Sequence, residues 1–200
     1  MADMSQEFDW DAYRNSADKY LARKEFKGTP ITGDMMMNSA KNSYMKHGVI
    51  VPLNLALSQG QFETKFGTDS SGRPNYRNNP FNVGEYDKKT VYKPKNTEEG
   101  IGRYFDLMAQ DYLSDKDSDT LLKNFVNKKG YRYASDTEYE KKIGTQIKYI
   151  NRYLAKDTQV KASPVSSHTN RSFAEAFAEA RKDGATGFEY NGKSYNTRVK

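Results

Sequence analysis

The spacing of apolar residues along the chain predicts mainly helices. In five stretches they recur every three or four residues, the spacing that places side chains on one face of a helix. These stretches are 8–25, 34–47, 52–66, 96–112 and 138–154. A shorter helix is predicted around 121–126. Residues that start helices support these bounds: Asp34, Pro52, Asn96 with Glu99, and Ser135 with Glu138.

Residues 68–96 interrupt the helical pattern. They contain several Gly, Pro and Asn residues, which favour turns. A short hairpin is predicted from about Val83 to Tyr92, where β-branched and aromatic residues gather. The predicted fold class is therefore α+β, mainly α, with a small β lobe.

Changes in composition divide the chain into four regions. Residues 1–30 form an N-terminal helical arm that either packs on the domain or extends from it. Residues 31–155 form the main domain, and 156–171 read as a linker because they have almost no bulky apolar side chains. Residues 172–200 predict a helix and a β-hairpin with its turn at Asn191-Gly192. A module this small is expected to dock on another surface.

The residue types that the chain contains limit the kinds of catalytic or metal site it can form. The chain has no cysteine, which excludes disulfides, thiol catalysis and cysteine-based zinc sites. Its two histidines, His47 and His168, are far apart in sequence, so we expect neither a histidine metal site nor Ser-His catalysis. We expect no metal and no cofactor, and chemistry based on carboxylates, amides, hydroxyls and tyrosines.

The net charge of +6 is unevenly distributed. Residues 121–157 carry nine Lys and Arg against four Asp and Glu. Such a surface suits an anionic partner, but a lysine-rich solvated helix face explains it equally well. No apolar run is long enough for a membrane span. The acidic start, MADMSQEFDWD, lacks the apolar region of a secretory signal, so none is expected.

Glu63 is the candidate general acid. It lies near the C-terminal end of the predicted 52–66 helix, where the helix dipole disfavours a second negative charge. Burial beside Phe62 and Phe66 would also raise its carboxyl pKa, as a general acid near neutral pH requires. From these residues alone, an ordinary surface glutamate remains the more common situation.

Three motifs occur in an order that resembles one family. They are LALSQGQFETKFG at 55–67, NNPFNVG at 78–84 and YASDTEYEKKI at 133–143. Together with the segment leading into the first motif, they resemble the lysozyme-superfamily peptidoglycan endo-β-N-acetylglucosaminidases. The resemblance spans about 110 residues. The chain departs from the family pattern at Asn82, where glycine is usual, and at Lys65-Phe66.

The resemblance implies a lysozyme-like glucosaminidase domain and assigns roles to individual positions. Glu63 matches the catalytic acid, and Tyr133 matches a tyrosine that faces it. Asn78, Asn79 and Phe81 match the segment that lines the cleft and binds substrate.

The sequence leaves open which group would act as a second catalytic residue. Glu85 and Asp87 are the candidates on the predicted β lobe, since Glu98 and Glu99 fit a helix start better. The N-acetyl carbonyl of the substrate could instead act as the nucleophile. Among the many tyrosines, Tyr86 and Tyr131 are candidates for stacking on sugars, although ordinary packing explains most tyrosines.

The expected function is therefore hydrolysis of β-1,4 bonds in peptidoglycan glycan strands. A lytic transglycosylase or a muramidase on the same fold is the chemical alternative. Residues 172–200 resemble a C-terminal module of virion proteins from tailed phages, including crAss-like ones. This resemblance implies location in a phage virion, contact with tail or portal proteins through 172–200, and opening of the cell wall during infection. A non-catalytic virion structural or cargo protein is the other alternative, and a nucleic-acid partner is not expected.

Overall fold

The computed structural model describes residues 8–70, 72–73, 75–85, 90–155, 180, 182, 187–190 and 193–196. The chain divides into two units, Met1–Leu154 and Ala155–Lys200. The first unit is mainly helical, as the apolar spacing predicts. Its helices are α1 Trp10–Leu21, α2 Gly33–His47, α3 Leu53–Thr64, α4 Thr97–Leu107, α5 Ser118–Leu121 and α6 Tyr139–Ala155. A 3-10 turn covers Lys24–Phe26, and a π-helical segment, Met108–Tyr112, continues α4.

The capping residues predicted from the sequence are confirmed at some helices and wrong at others. The side chain of Asn96 accepts a hydrogen bond from Glu99 N at 2.8 Å, which confirms the predicted cap of α4. The cap of α2 is Thr32, which accepts from Met35 N at 3.2 Å, whereas Asp34 lies in the first turn. Threonine and aspartate are both favoured at helix N-caps, with aspartate somewhat preferred, so residue type alone pointed to the wrong position.

The prediction that Ser135 starts the last helix is wrong. Residues 136–138 form a turn, in which Asp136 accepts from the backbone N–H of Glu138 at 2.9 Å, and α6 begins at Tyr139. The short helix predicted over 121–126 is also displaced. α5 ends at Leu121, and Val126 instead pairs with Arg132 in an isolated antiparallel bridge.

The N-terminal helix is part of the first unit rather than a separate arm. Trp10, Tyr13 and Tyr20 on α1 are buried. The Tyr13 hydroxyl donates to the carbonyl of Val51 at 3.2 Å, and the Tyr20 ring meets the Phe66 ring edge-on, with centroids 6.1 Å apart. Burying large aromatic side chains is worth about 1.5–3 kcal/mol each, so α1 stabilises the core.

Two small antiparallel sheets complete the description. Strands β1 Gly84–Glu85 and β2 Thr90–Val91 pair with Gly84 opposite Val91, inside the segment where a hairpin is predicted. In the second unit, β3 Gly187–Tyr190 and β4 Lys193–Asn196 pair with Tyr190 opposite Lys193. The predicted linker and most of the predicted C-terminal helix lie outside the described residues.

Helix α3 runs through the core, and its middle, from Leu55 to Gly60, is buried on all sides. Its buried residues are Leu55, Ala56, Leu57, Ser58, Gln59, Gly60, Glu63 and Thr64. Gly60 allows aromatic rings to approach the backbone. A Cβ atom there would lie 2.8 Å from the Phe66 ring and 3.0 Å from the Phe81 ring. The Phe81 ring also stacks on the Tyr104 ring, with 3.9 Å between centroids, so the rings beside Gly60 are packed on both sides.

Candidate functional site

The backbone reverses sharply just after Glu63. Helix α3 ends at Thr64, and the next three residues, Lys65, Phe66 and Gly67, have φ of 47°, 58° and 75°. Left-handed conformations at non-glycine residues cost energy and persist only where surrounding contacts enforce them. Here the enforcing contacts are the buried Phe66 ring and the Thr64 hydroxyl, which donates to Pro80 O at 2.6 Å and accepts from Gly67 N at 2.9 Å. The end of α3 is therefore fixed to the 78–84 segment.

The carboxylate of Glu63 is buried but keeps polar partners. Its side chain is 7% exposed. Asn82 Nδ2 donates to Oε2 at 3.2 Å, and Arg73 Nη2 lies 3.3 Å from the same oxygen. Arg73 also donates to the backbone carbonyl of Glu63. Burial raises the pKa of Glu63 above its usual value, while the Arg73 charge and the Asn82 hydrogen bond act in the opposite direction. The effect of burial prevails, which is the electrostatic condition for a general acid.

Glu63 opens into a cleft of about 660 Å³, the Glu63 cleft. This volume is within the usual range for small-ligand sites. The walls come from the end of α3, the approach to β1, the π-helical segment and the loop before α6. Side chains able to hydrogen-bond or stack line it: Glu63, Arg73, Asn82, Arg103, Asp111, Tyr112, Asn127, Lys129, Tyr131, Tyr133, Ser135, Asp136 and Tyr139.

Tyr133 lines the Glu63 cleft. Its ring stacks on that of Tyr139 at 5.6 Å, and its hydroxyl donates to the carbonyl of Phe81 at 3.2 Å. Burial raises the pKa of Tyr133 well above its usual range, and the nearby Tyr139 and Glu63 charges add to this. The hydroxyl is thus neutral, and it donates its hydrogen bond to the backbone carbonyl of Phe81 rather than to Glu63.

The predicted substrate-binding residues divide into two groups. Tyr131 lines the Glu63 cleft and is 54% exposed, which fits a sugar-stacking role. Phe81 is instead fully buried in the core. Asn79 is also buried, and its amide donates to Val83 O at 2.9 Å and accepts from Val83 N at 3.0 Å. Neither residue is in the described lining of the cleft, because the Asn79 side chain bonds the loop backbone and the Phe81 ring packs on Tyr104 in the core.

Asn78 also lies away from the described lining of the Glu63 cleft. Its side chain donates to Lys95 O at 3.3 Å, and its backbone carbonyl packs closely against Gly100 at the start of α4. A Cβ at Gly100 would lie only 1.9 Å from that oxygen. Asn78 therefore joins two segments of the fold, a structural use that the motif alone did not reveal.

The structure adds two candidates for a second catalytic carboxylate, while Glu85 and Asp87 stay predictions. Glu85 lies in β1, but its side chain is outside the described part of the structure, as are Asp87 and Tyr86. The cleft itself contains Asp111 and Asp136, which the sequence did not single out. Asp136 belongs to the YASD motif, so the motif could have indicated it. Asp111 had no such signal, since nothing in the sequence showed that the helix face it shares with Arg103 and Leu107 borders the cleft.

These two aspartates differ in their surroundings. Asp136 accepts from Lys142 Nζ at 2.6 Å and from Glu138 N, and these hydrogen bonds lower its pKa. Asp111 forms an ion pair with Lys128 at 3.0 Å. Asp136 is therefore ionised at neutral pH, which suits electrostatic stabilisation of a positive charge in the cleft.

Arg73 and Asn82 contact Glu63, and sequence reasoning did not assign them to the candidate site. Arg73 comes from a loop with no periodic pattern, so nothing in the sequence linked it to Glu63. Asn82 replaces the glycine of the family pattern, and its φ of 50° explains why the replacement is tolerated. Glycine and asparagine are the residues that adopt this left-handed conformation most readily. Asparagine keeps the backbone path and adds a hydrogen bond to the acid.

Hydrogen bonds between buried amides and hydroxyls connect α3 to α4 and α6. The Tyr104 hydroxyl donates to Gln59 Oε1 at 2.6 Å, and Gln59 Nε2 donates to the Tyr139 hydroxyl at 2.8 Å. Burial is the main cause that raises the pKa of Tyr139, with the Glu63 charge adding to it. Satisfied buried networks of this kind rigidify a core, so they fix the position of the helix that carries Glu63.

No protein-family model, curated protein or solved structure matches this chain. Within the described ranges, no group of three or more acidic or histidine side chains could hold a metal ion. In the same residues, no helix combines the length and apolar character needed to cross a membrane.

Proposed function

We propose that the chain is a peptidoglycan hydrolase of the glucosaminidase type, with Glu63 as its general acid. One observation carries the proposal: a glutamate with a raised pKa sits at the end of a rigid helix and opens into a cleft of ligand size. The three motifs that resemble the lysozyme-superfamily glucosaminidases meet at this cleft. Glu63 ends the first, Asn82 belongs to the second and Tyr133 to the third.

The arrangement around Glu63 supports the following order of events. Glu63 in its protonated form donates to the glycosidic oxygen as the bond breaks. The carboxylate left behind keeps Arg73 and Asn82 as partners on Oε2, so its new charge is compensated. The positive charge that develops on the sugar needs a negative partner. Glu85 or Asp87, as predicted from the sequence, Asp136, Asp111 or the N-acetyl oxygen of the substrate would provide it. Water then adds to the sugar carbon and gives a proton back to Glu63, which completes hydrolysis.

The decisive experiment is mass spectrometry of the products released from purified peptidoglycan. Reducing ends from N-acetylglucosamine would support the proposal, reducing N-acetylmuramic acid would indicate a muramidase, and anhydro-muramyl ends a lytic transglycosylase. Glu63→Gln keeps the shape of the side chain but has no proton to donate, so turnover should fall roughly 10²–10⁴-fold.

Glu98→Gln is the matched control. Glu98 is an exposed glutamate in the first turn of α4, outside the Glu63 cleft, and its amide variant should cleave at the normal rate. If both variants digest the wall like the native chain, Glu63 is not the acid. If the native chain releases nothing, the alternative of a non-catalytic virion structural or cargo protein is favoured.

The place of action is a second part of the proposal. The resemblance of 172–200 to a phage virion module supports a virion location, with the enzyme delivered to the bacterial wall during infection. The division of the chain at Leu154 and Ala155 is consistent with a catalytic unit followed by a separate attachment unit. Tail or portal proteins would then be the partners of residues 172–200.

A further inference from the structure

A second groove lies beside the Glu63 cleft. It is bounded by the end of α3, the 3-10 turn Lys24–Phe26 and the first half of α6, and its volume is about 760 Å³. Phe62 lines both cavities and is 39% exposed, so its ring is common to the two. The ring is held by edge-on packing against Tyr139 at 5.5 Å. A chain-like ligand in the cleft can therefore continue across Phe62 into this groove.

The floor of the second groove presents two fixed amides. Gln61 Oε1 accepts from the Tyr20 hydroxyl at 2.6 Å and from Gln146 Nε2 at 2.8 Å. Gln146 Nε2 also donates to the Tyr20 hydroxyl at 2.9 Å. These contacts leave the Gln61 N–H groups and the Gln146 carbonyl oxygen without a hydrogen bond to any other described residue. The groove thus offers an oriented donor and acceptor at almost no ordering cost.

Charges at the rim of the second groove compensate one another. Lys65 pairs with Asp69 at 2.9 Å, Lys141 with Glu138 at 3.0 Å, and Lys142 with Asp136 at 2.6 Å. An anionic ligand would have to compete with carboxylates that are already in place. A neutral, polar ligand with apolar ring faces fits the lining better, since it can use the amides and stack on Phe62.

We infer that the second groove binds the continuation of the glycan strand, as neutral N-acetylated sugars, beyond the bond attacked at Glu63. This inference rests on the proposed function and extends it. The cleft holds the sugars around the scissile bond, Phe62 stacks on the next ring, and the Gln61 and Gln146 amides hydrogen-bond the hydroxyl or acetamido groups that follow. Such an arrangement favours attack within long strands.

The test uses the full chain with Glu63→Gln to prevent cleavage, titrated calorimetrically with β-1,4-linked N-acetylglucosamine oligomers of increasing length. Affinity should keep increasing after the cleft is filled, as further sugars enter the second groove. Thr145→Trp blocks the groove, because Thr145 is an exposed residue of α6 that lines it. The blocked protein should bind the hexamer about tenfold more weakly while its trimer affinity stays unchanged.

Lys148→Trp is the matched control, an exposed position on the same helix outside the lining of the second groove. It should bind both oligomers like the parent. If the hexamer binds no more tightly than the trimer, or if both tryptophan variants behave alike, the inference is overturned while the proposed function stands. If an acidic muropeptide, and not the neutral hexamer, shows the blocking effect, the groove serves a different ligand class and the inference fails. If no oligomer binds at all, the inference and the proposed function fail together.

Discussion

A methyl group added at Gly60 should destabilise the protein, although helix propensity alone predicts the opposite. Glycine inside a helix is about 1 kcal/mol less favourable than alanine, so Gly60→Ala gains that amount from the backbone. The structure opposes the gain. The new Cβ would lie 2.8 Å from two carbons of the Phe66 ring, closer than real Cβ atoms come to other atoms, and 3.0 Å from Phe81, which is also a tight contact.

Neither ring can move away cheaply. The Phe66 ring packs edge-on against Phe26 at 4.7 Å, and Phe81 is stacked on Tyr104 at 3.9 Å; all four side chains are buried. Overpacking a filled core costs about 1–3 kcal/mol and more when rings must shift. Because two rings are affected, we expect the cost to exceed the propensity gain. The variant should be about 1–2 kcal/mol less stable than the native chain.

Gly144→Ala is the matched control. Gly144 also lies inside a helix, α6, but a Cβ there would meet nothing within 4 Å. This variant should be about 0.5–1 kcal/mol more stable than the native chain. Urea denaturation of the two variants measures both free energies of unfolding. If Gly60→Ala is stabilised as much as Gly144→Ala, the packing around α3 is looser than described and the argument is refuted.

Four further predictions concern the site and the tail. Glu63→Gln should be more stable than the native chain at neutral pH, because a raised folded-state pKa penalises the charged form above the unfolded pKa. The gain should vanish below about pH 4, where the carboxyl is protonated in both states; an equal gain at all pH values would contradict this. Arg73→Met removes the opposing charge, so the alkaline limb of the pH–activity profile should move to higher pH, and an unmoved limb would refute the coupling. Tyr133→Phe loses the bond to Phe81 O and should cost about 1 kcal/mol of stability by denaturation, with a larger relative loss of activity. Deleting 172–200 should leave hydrolysis of purified peptidoglycan intact but remove the protein from virions; an inactive truncated chain would assign the tail to the enzyme.

Helices were predictable because each buries one apolar face. Ile143, Ile147 and Ile150 all face the core on α6, as their spacing predicts. Helix α3 shows the limit of that reasoning, since it is buried almost all round and has no clear apolar stripe. Its role emerged from the motif that contains Glu63, and its bounds were set by the turn at Lys65 and Phe66.

Residues whose role depends on loop geometry escaped prediction. Arg73 reaches Glu63 because a loop folds back over the end of α3, and no periodic pattern describes such a loop. Asp111 lines the cleft together with Arg103 and Leu107, and residues four apart share one face of a helix. The sequence did not show that this face borders the cleft. Conversely, Asn79 and Phe81 stand in the right motif but serve the backbone and the core. A motif thus locates a site, while packing decides which of its side chains reach it.

The left-handed turn at Lys65 and Phe66 links the acidity of Glu63 to the packing of the core. The turn is held by the buried Phe66 ring, and the burial of Glu63 depends on that turn. A partly unfolded chain that loses this ring contact would expose Glu63, and its carboxyl would revert to an ordinary acidity. Substitutions that gradually loosen the core would therefore weaken catalysis before the chain unfolds. Random mutagenesis should find inactive variants spread across the rings around α3, far beyond the few side chains that touch a substrate.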